Sequence, residues 1–587
     1  MKIDFSLFDP GSQLTRCRKT LFLLSILRVF VFLGLVATLV VGITDRSTIL
    51  MLSVPLSFIF IFLIKKHNQE KDKELFLQAL SQMQGESELR AKRDLRSFYR
   101  GEEFLEKDHP FAADLDIFGP HSLFQLLNHT VSKGGKNLLA TWLKAPTNPQ
   151  TATYRHGAVA ELSRLPEFLT KFEGLGRAFL SQEKPKTGLF KWLSHPNYWK
   201  NLYWLPAILG PLLGSTLLIA VLWFNLPFAY LGMFILAGIL MLGLIFKPLM
   251  LSMKVIPSES DLKTYQSWAY LLEEASFSHP YLKELQAPIS DTQVKASQAL
   301  ESLEKQSFIV QNRSNLLYLI FNLLFWVDFW VLYRLENWKN TYGNHVKRWE
   351  EAFCEWEALI SLAAFTASEG NAASIQWIES ETLEVRNIRH PLIRPSACIG
   401  NDFALSDGQQ IVLLTGSNMS GKTTFMRTLG INLVMANIGL NPLADVFICG
   451  PFQLYTSMRN SDNLGESVSS FYAELRRIQG LLRETAKEQP VFFLLDEILK
   501  GTNTDDRVTG SRALIKQLLK TSSKGVISTH DMELTLLENE LKGIMNRSFH
   551  HTIEQEEIRF DYKIKSGSCP NFNAHKLMEL MGITFDQ

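Results

Sequence analysis

The sequence is poor in the features that mark a secreted or metal-stapled protein. Of its 587 residues only five are cysteine (Cys17, Cys354, Cys398, Cys449 and Cys569). They are widely scattered and no pair has C-x-x-C spacing. Neither a zinc site nor a disulfide framework is indicated, and a reduced, cytosol-facing body is the simplest reading. Neither sign of charge dominates, with 60 basic residues against 59 acidic and a net charge of +1. No global field therefore advertises a polyanionic partner, and nucleic-acid binding would need a local basic patch. No internal repeat or low-complexity segment stands out.

What the sequence has is apolar mass, unevenly spread: 46% hydrophobic residues, including 40 Phe. Residues 21–43, "LFLLSILRVFVFLGLVATLVVGI", are apolar except for Arg28 and two small hydroxyls, and residues 48–64, "TILMLSVPLSFIFIFLI", follow after a short turn. The first run is long enough to cross about 30 Å of hydrocarbon, and the second is at the short end. Arg16, Arg18 and Lys19 precede the pair and Lys65 and Lys66 follow it, so the positive-inside rule puts both ends in the cytoplasm. A signal peptide fits poorly, because a second apolar run follows with no clear small-residue cleavage site between. A second hairpin is expected at 203–224 and 226–246, turning at Asn225-Leu226-Pro227 and flanked by Lys200 and Lys247. A fifth run, 316–333, contains Asn322 and Asp328. A mid-span charge is costly, and a fifth crossing would move one end outside, so this run reads as a buried or interfacial helix.

Residues 68–110 are densely charged and read as an exposed helix or linker. Residues 111–200 and 258–370 read as helical. Val346, Trp349, Phe353, Trp356, Ile360 and Ala363 recur at steps of three and four, a core-packing stripe. From about 375 the texture changes to short β-branched runs separated by helices, the pattern of a parallel α/β domain.

The chemistry lies in that last part. Gly416-Ser417-Asn418-Met419-Ser420-Gly421-Lys422-Thr423, followed by Thr424, matches the phosphate-binding loop, with a strand at 411–415 and a helix at 424–437. Glycines let backbone N–H groups turn inward around phosphates, and the helix N-terminus adds partial positive charge. Lys422 reaches the β/γ-phosphates of ATP, and the Thr423 hydroxyl ligates Mg²⁺. The buried strand "VFFLLDE" ends in Asp496-Glu497. Asp496 can hold the Mg²⁺ shell, and Glu497 can polarise the attacking water. A third strand, "KGVISTHD", ends at His530, placed to contact the γ-phosphate. The serine-rich "NSDNLGESVSS" opens an amphipathic helix, with Ser469 and Ser470 at or near its N-cap. Either they simply cap it, or this end faces a γ-phosphate bound to a second subunit.

Together these segments resemble the MutS family of DNA mismatch repair proteins, within the ABC-type ATPases. "TGSNMSGKTTFMRTLG", "SDNLGESVSSFYAEL", "LLDEILKGTNTDD" and "STHDMEL" look like its successive ATPase motifs. "FDYKIKSGSCPNFNAHKLMELMGI" resembles its C-terminal closure. Upstream, residues 116–162, "EWEALISLAAF" and "RHPLI" are similar to the start and end of its helical core. The apolar runs and the resemblance together imply a mixed fold: transmembrane helical hairpins from the former, and an all-α MutS-like core and an α/β P-loop (ABC-type) ATPase from the latter. The expected layout is an N-terminal hairpin region 1–67, a charged linker 68–110, a core 111–370 interrupted by the second hairpin, and the ATPase domain 375–587. It also implies ATP hydrolysis with Mg²⁺, a homodimer in which Ser469 acts across the interface, and binding of mismatched or structured DNA. The alternative is an ATP-driven membrane mechanoenzyme or scaffold that does not bind DNA.

The sequence departs from the family in five places. No mismatch-reading domain precedes residue 111, and Phe104-Leu105-Glu106 matches that domain's motif only by chance. The second hairpin is expected to replace part or all of the DNA-gripping clamp. Ser467 stands where a glycine is usual, and Asp505 and Arg507 where tyrosine and glycine are. The sequence ends at 587, so the partner-binding tail of many MutS proteins is expected to be missing.

Overall fold

The computed structural model describes residues 10–44, 48–180, 186–370, 373–458, 470–554 and 557–569. The chain divides into two packed units. One comprises 1–86, 130–136 and 165–357, and the other 87–129, 137–164 and 358–587.

The first unit is helical. Helix α1 (Pro10–Thr44) is followed by a 3₁₀ turn at Thr48–Leu52 and helix α2 (Ser53–Ala91). The two helices run antiparallel. Arg18 pairs with Glu74 at 2.9 Å, the Cys17 thiol donates to the Glu70 carbonyl at 3.2 Å, and the Phe32 and Phe60 rings lie 5.7 Å apart. Among the described residues three helices are long and apolar enough to cross a membrane, Pro10–Gly42, Asn201–Val221 and Phe228–Val255, or four elements if a bent pair at 318–369 counts as one. The expected second run, 48–64, is not among them as a helix of its own. Its α-helical part, from Ser53 to Ile64, is about 18 Å long at 1.5 Å per residue, and the 3₁₀ turn at Thr48–Leu52 supplies the rest of the run. The expectation of an exposed linker at 68–110 also needs correcting. Phe76 and Leu77 on α2 are fully buried, as is Leu95, and Glu86 pairs with Arg177 at 2.8 Å.

Helices α3 (Trp204–Phe224) and α4 (Phe228–Val255) form the second hairpin. Asn225 caps α3 with φ 56°, a left-handed conformation that asparagine tolerates. Between 251 and 330 the sequence carries nine acidic and six basic residues. The segment is mostly packed helix: Glu259–Glu274 lies against Pro166–Phe179 and Ala296–Gln311. Trp268 stacks on Phe172 at 4.5 Å and donates to its carbonyl at 2.7 Å. No projecting basic clamp occurs there among the described residues. The 316–333 run is not one helix: α5 (Leu316–Phe325) and α6 (Val327–Glu369) meet at Trp326 with a bend of 92°. The stripe on α6 is buried from Trp349 through Ala363.

The second unit is built on two sheets. Strands β1 (Ile375–Trp377), β2 (Leu383–Ile388), β3 (Asn401–Leu405) and β5 (Val446–Cys449) form one, in the order β1-β5-β2-β3. Strands β4 (Ile411–Thr415), β6 (Gln453–Ser457), β7 (Val491–Asp496), β8 (Lys524–Ser528), β9 (Ile544–Glu554) and β10 (Glu557–Ser566) form the other, in the order β10-β9-β4-β8-β7-β6. All its pairings are parallel except β9–β10. Strands β4 and β8 are buried throughout, as parallel strands covered on both faces must be. Helices α7 (Lys422–Asn437), α8 (Ser470–Thr485) and α9 (Thr504–Leu518) follow β4, β6 and β7.

Residues 87–129 and 137–164, expected in the linker and helical core, pack within this unit instead. Polar contacts tie them there. Asp114 accepts hydrogen bonds from the Thr456 hydroxyl at 2.6 Å and the Met458 amide at 3.1 Å. Asp116 pairs with Arg427 of α7 at 3.0 Å. Arg93 donates to the Pro391 carbonyl and the Glu369 carboxylate, each at 2.7 Å.

A candidate phosphate-binding site

Strand β4 ends at Thr415, and the chain turns sharply before α7. Gly416 and Gly421 carry φ of 150° and 103°, values an L side chain rarely adopts. A Cβ at Gly416 would lie 2.8 Å from the Phe549 carbonyl and 2.9 Å from the Ser420 hydroxyl, so the close turn needs glycine there. Asn418 and Met419 form the exposed tip, with Met419 at 86% exposure, whereas Ser417 and Ser420 are buried. The helix begins at Lys422, two residues earlier than expected.

The loop is tied to its own lysine. Lys422 is buried, and its Nζ donates to the carbonyls of Gly416 at 2.7 Å and Ser417 at 3.1 Å. Burial lowers its pKa, opposed by the nearby Glu497 and Asp496 carboxylates. The Thr424 side chain lies outside this cradle, exposed on the first turn of α7, and its carbonyl accepts from Thr428.

Two neighbouring strand ends bring the carboxylates in. The Thr423 hydroxyl donates to Asp496 Oδ2 at 2.7 Å, and the Ser528 hydroxyl donates to Oδ1. Glu497 accepts from or shares a proton with His530 Nε2 at 2.9 Å, and Lys500 pairs with its other oxygen at 2.9 Å. The His530 hydrogen bond, with help from Lys500, pulls the Glu497 pKa down to about 2 despite partial burial. Glu497 and Leu499 have φ of 52° and 59°. Such non-glycine strain costs about 1–3 kcal/mol per residue and clusters at functional sites. The Glu497 amide donates to the Ser528 carbonyl at 3.1 Å, and Glu474 of α8 accepts from the Leu499 amide, which together hold the turn.

The structure thus brings together the 416–423 loop, Asp496, Glu497 and His530, and leaves Thr424 outside. Ser469, Ser467 and the C-terminal segment from residue 570 lie outside the described residues. Helix α8 begins at Ser470, next to the expected cap. Sequence reading missed Lys500, Ser528 and Glu474. Lys500 stood three residues after Glu497 and Ser528 two before His530, but only the sheet register, which pairs Asp496 with Ser528, makes Ser528 a partner. Arg507, where glycine was expected, grips Asp531 with two hydrogen bonds of 2.9 and 2.7 Å.

These groups suit a nucleoside polyphosphate with a hard cation. The Ser420 hydroxyl is buried without a hydrogen-bond partner beside the loop, an acceptor or donor left over at the place a phosphate would occupy. Thr423 and Asp496 supply two oxygens, the sparse protein set typical of Mg²⁺ bound chiefly through phosphates and water. No cluster of three or more His, Cys, Asp or Glu side chains able to hold a metal occurs among the described residues.

Residues 412–583 match the family model for MutS domain V. The chain is 30% identical over 263 residues to the DNA mismatch repair protein MutS of Staphylococcus haemolyticus, covering 44% of this chain and 29% of that one. It is 28% identical over 234 residues to the MutS of Fusobacterium nucleatum, covering 38% and 26%. To the Endonuclease MutS2 of Thermus thermophilus it is 34% identical over 188 residues, covering 32% and 24%. The chain therefore spans less than a third of the length of these curated relatives. The matched region contains every loop and strand end that builds the site, and this region of the chain belongs to the MutS family, as its domain V.

Proposed function

We propose that this protein is a membrane-anchored MutS-type ATPase whose two copies close on ATP and reopen on its hydrolysis. The observation that carries the reading is the pair of short contacts at adjacent strand ends, Thr423–Asp496 at 2.7 Å and His530–Glu497 at 2.9 Å, beside the Lys422 loop. In this reading the loop amides and Lys422 bind the phosphates, Lys422 exchanging its loop carbonyls for phosphate oxygens. Thr423 and Asp496 would hold Mg²⁺, which supplies charge neutralisation at the β/γ-phosphates. Glu497 stays ionised at neutral pH and accepts the proton of the attacking water. His530 orients Glu497, and Ser469, which precedes α8 in the sequence, is the residue offered to the partner's nucleotide.

Anchoring is supported by three long apolar helices, by the antiparallel α1–α2 pair, and by Arg16, Arg18, Lys19, Lys65 and Lys66 at one end of that pair. The same charge bias supports a cytoplasmic side for the soluble parts, where ATP is. DNA binding of the mismatch-repair kind is what the curated relatives' names suggest for this chain. A membrane mechanoenzyme that leaves DNA alone is the second reading, favoured by the excess of acidic residues between 251 and 330.

One experiment separates them: ATP hydrolysis by the detergent-solubilised protein, titrated with duplex, mismatched and branched DNA, with Glu497→Gln as blank. Stimulation by one DNA form names the substrate class. Hydrolysis indifferent to every DNA supports the membrane reading, and no hydrolysis above the blank removes the ATPase.

A further inference from the structure

We propose that residues 316–330 form a re-entrant half-span, seated in one leaflet with its outer face against lipid acyl chains. The proposal rests on the membrane reading of the α3–α4 hairpin.

The contacts of this segment trace a descent and a return along that hairpin. Before α5 begins, Arg313 lies 3.6 Å from the sulfur of Met253, near the C-terminal end of α4. At the far end of α5 the Leu324 carbonyl packs directly on Gly214, about midway along α3. The Trp326 side chain fills the space above Gly210 and Gly238, where any added Cβ would come within 2.8 Å of it, and its ring stacks on Phe234 at 5.1 Å. One turn later Trp330 Nε1 donates to the Ala207 carbonyl at 2.7 Å, closer to the hairpin's start. Tyr333 then lies 4.7 Å from Trp204 and 5.2 Å from Trp199. The chain has gone in to the middle of the hairpin and come back. Three glycines accept it, as small residues do wherever membrane helices approach closely.

Broken helix is tolerated at membrane depth only where its backbone is satisfied by protein. Here it is. The Trp326 amide donates to the Asn322 carbonyl at 2.8 Å, and the Asp328 amide to Asn322 Oδ1 at 2.9 Å. The Asp328 carboxylate, 2% exposed, accepts from Arg313 at 3.0 and 2.5 Å, from the Tyr318 hydroxyl at 2.7 Å and from Asn322 at 2.9 Å. A charge that made the run look unfit for a membrane is therefore fully paired inside the fold, the condition under which ionisable groups survive there.

The outer face of α5 is apolar and bare: Leu316, Leu319, Ile320 and Phe321 are 46–69% exposed. It continues the exposed apolar surface of α3 and α4, where Leu212 and Leu236 stand out similarly. At the base, Trp199, Tyr203, Trp204, Trp330 and Tyr333 form one aromatic cluster beside Lys200, the composition of a membrane–water interface. Lipid is the one occupant that matches both the bare face and its aromatic rim. A half-span adds no crossing, so residues on both sides of it share one compartment.

The test uses the full-length protein in liposomes with its five cysteines replaced. Single cysteines at Ile320, Phe321 and, as the hairpin reference, Leu236 carry an environment-sensitive dye, and the bilayer contains phospholipids brominated in mid-chain. Ile320→Cys and Phe321→Cys should each lose more than half their emission, as should Leu236→Cys. If only Leu236→Cys is quenched, the hairpin is in lipid but residues 316–330 are covered by protein or water, and the inference falls. If none is quenched, the membrane reading itself fails. In a second arm, Asn315→Cys and Asn337→Cys should both react with an impermeant maleimide from the same side. Labelling from opposite sides would make the segment a crossing and overturn the re-entrant assignment.

Discussion

Asp114 offers a quantitative test of how the residues before 130 serve the site. Its carboxylate is 5% exposed and accepts from the Thr456 hydroxyl at 2.6 Å and the Met458 amide at 3.1 Å, with Arg477 of α8 at 3.8 Å. Met458 and Arg477 flank the serine-rich segment, so one carboxylate anchors both sides of it. Arg477 keeps other partners, the carbonyls of His109, Pro110 and Thr456, and would lose little. The cost of Asp114→Ala is therefore two hydrogen bonds to a charge, each about 1.5–3 kcal/mol, and a buried amide left without an acceptor. The total is about 3–6 kcal/mol. At about 2–4 °C per kcal/mol for a domain of this size, the melting transition of this unit should fall by roughly 10 °C in scanning calorimetry. Asp114→Asn keeps one carbonyl oxygen and should lose about half as much. A shift below one degree for the alanine variant, or equal shifts for both variants, would refute the anchoring role.

Lys422→Ala should abolish binding of a fluorescent ATP analogue while leaving the melting temperature nearly unchanged, because Lys422 bonds only to loop carbonyls. Thr423→Val removes the hydroxyl that meets Asp496, so the Mg²⁺ concentration needed for half-maximal hydrolysis should rise about ten-fold or more. His390 is partly buried and its pKa is pushed down to about 4, chiefly by desolvation. Its neutral form is favoured by folding, so this stability is complete above about pH 6.5 and is lost as pH falls toward 4. The loss is on the order of 3 kcal/mol. Melting curves of His390→Asn should be flatter over that range than those of the wild type.

The site was legible where chemistry and local pattern coincide. The glycine spacing around 416–421 demands positive φ, and the apolar runs before Asp496 and His530 can only be buried parallel strands. The structure keeps all three. What local pattern cannot carry is partnership at long range. Ser528 became a partner of Asp496 through sheet register, and Asp114 through a strand more than three hundred residues away. The charged look of residues 68–110 concealed Phe76, Leu77 and Leu95, because a helix can present lysines outward at every turn and still bury one face. Asp328 misled in the opposite sense. A single charge in an apolar run reads as a bar to the membrane until the arginine, tyrosine and asparagine that enclose it are in place.

The Arg507–Asp531 contact has an evolutionary consequence. Arg507 lies in the first turn of α9, just after its Asn503 cap, and Asp531 directly follows His530. Either residue alone would leave an uncompensated charge beside the histidine, and the pair together fixes where that histidine can stand. Among related chains these two positions should therefore be exchanged together or not at all. A glycine at 507 calls for a neutral residue at 531, and an Arg507→Gly change should be partly rescued by Asp531→Asn.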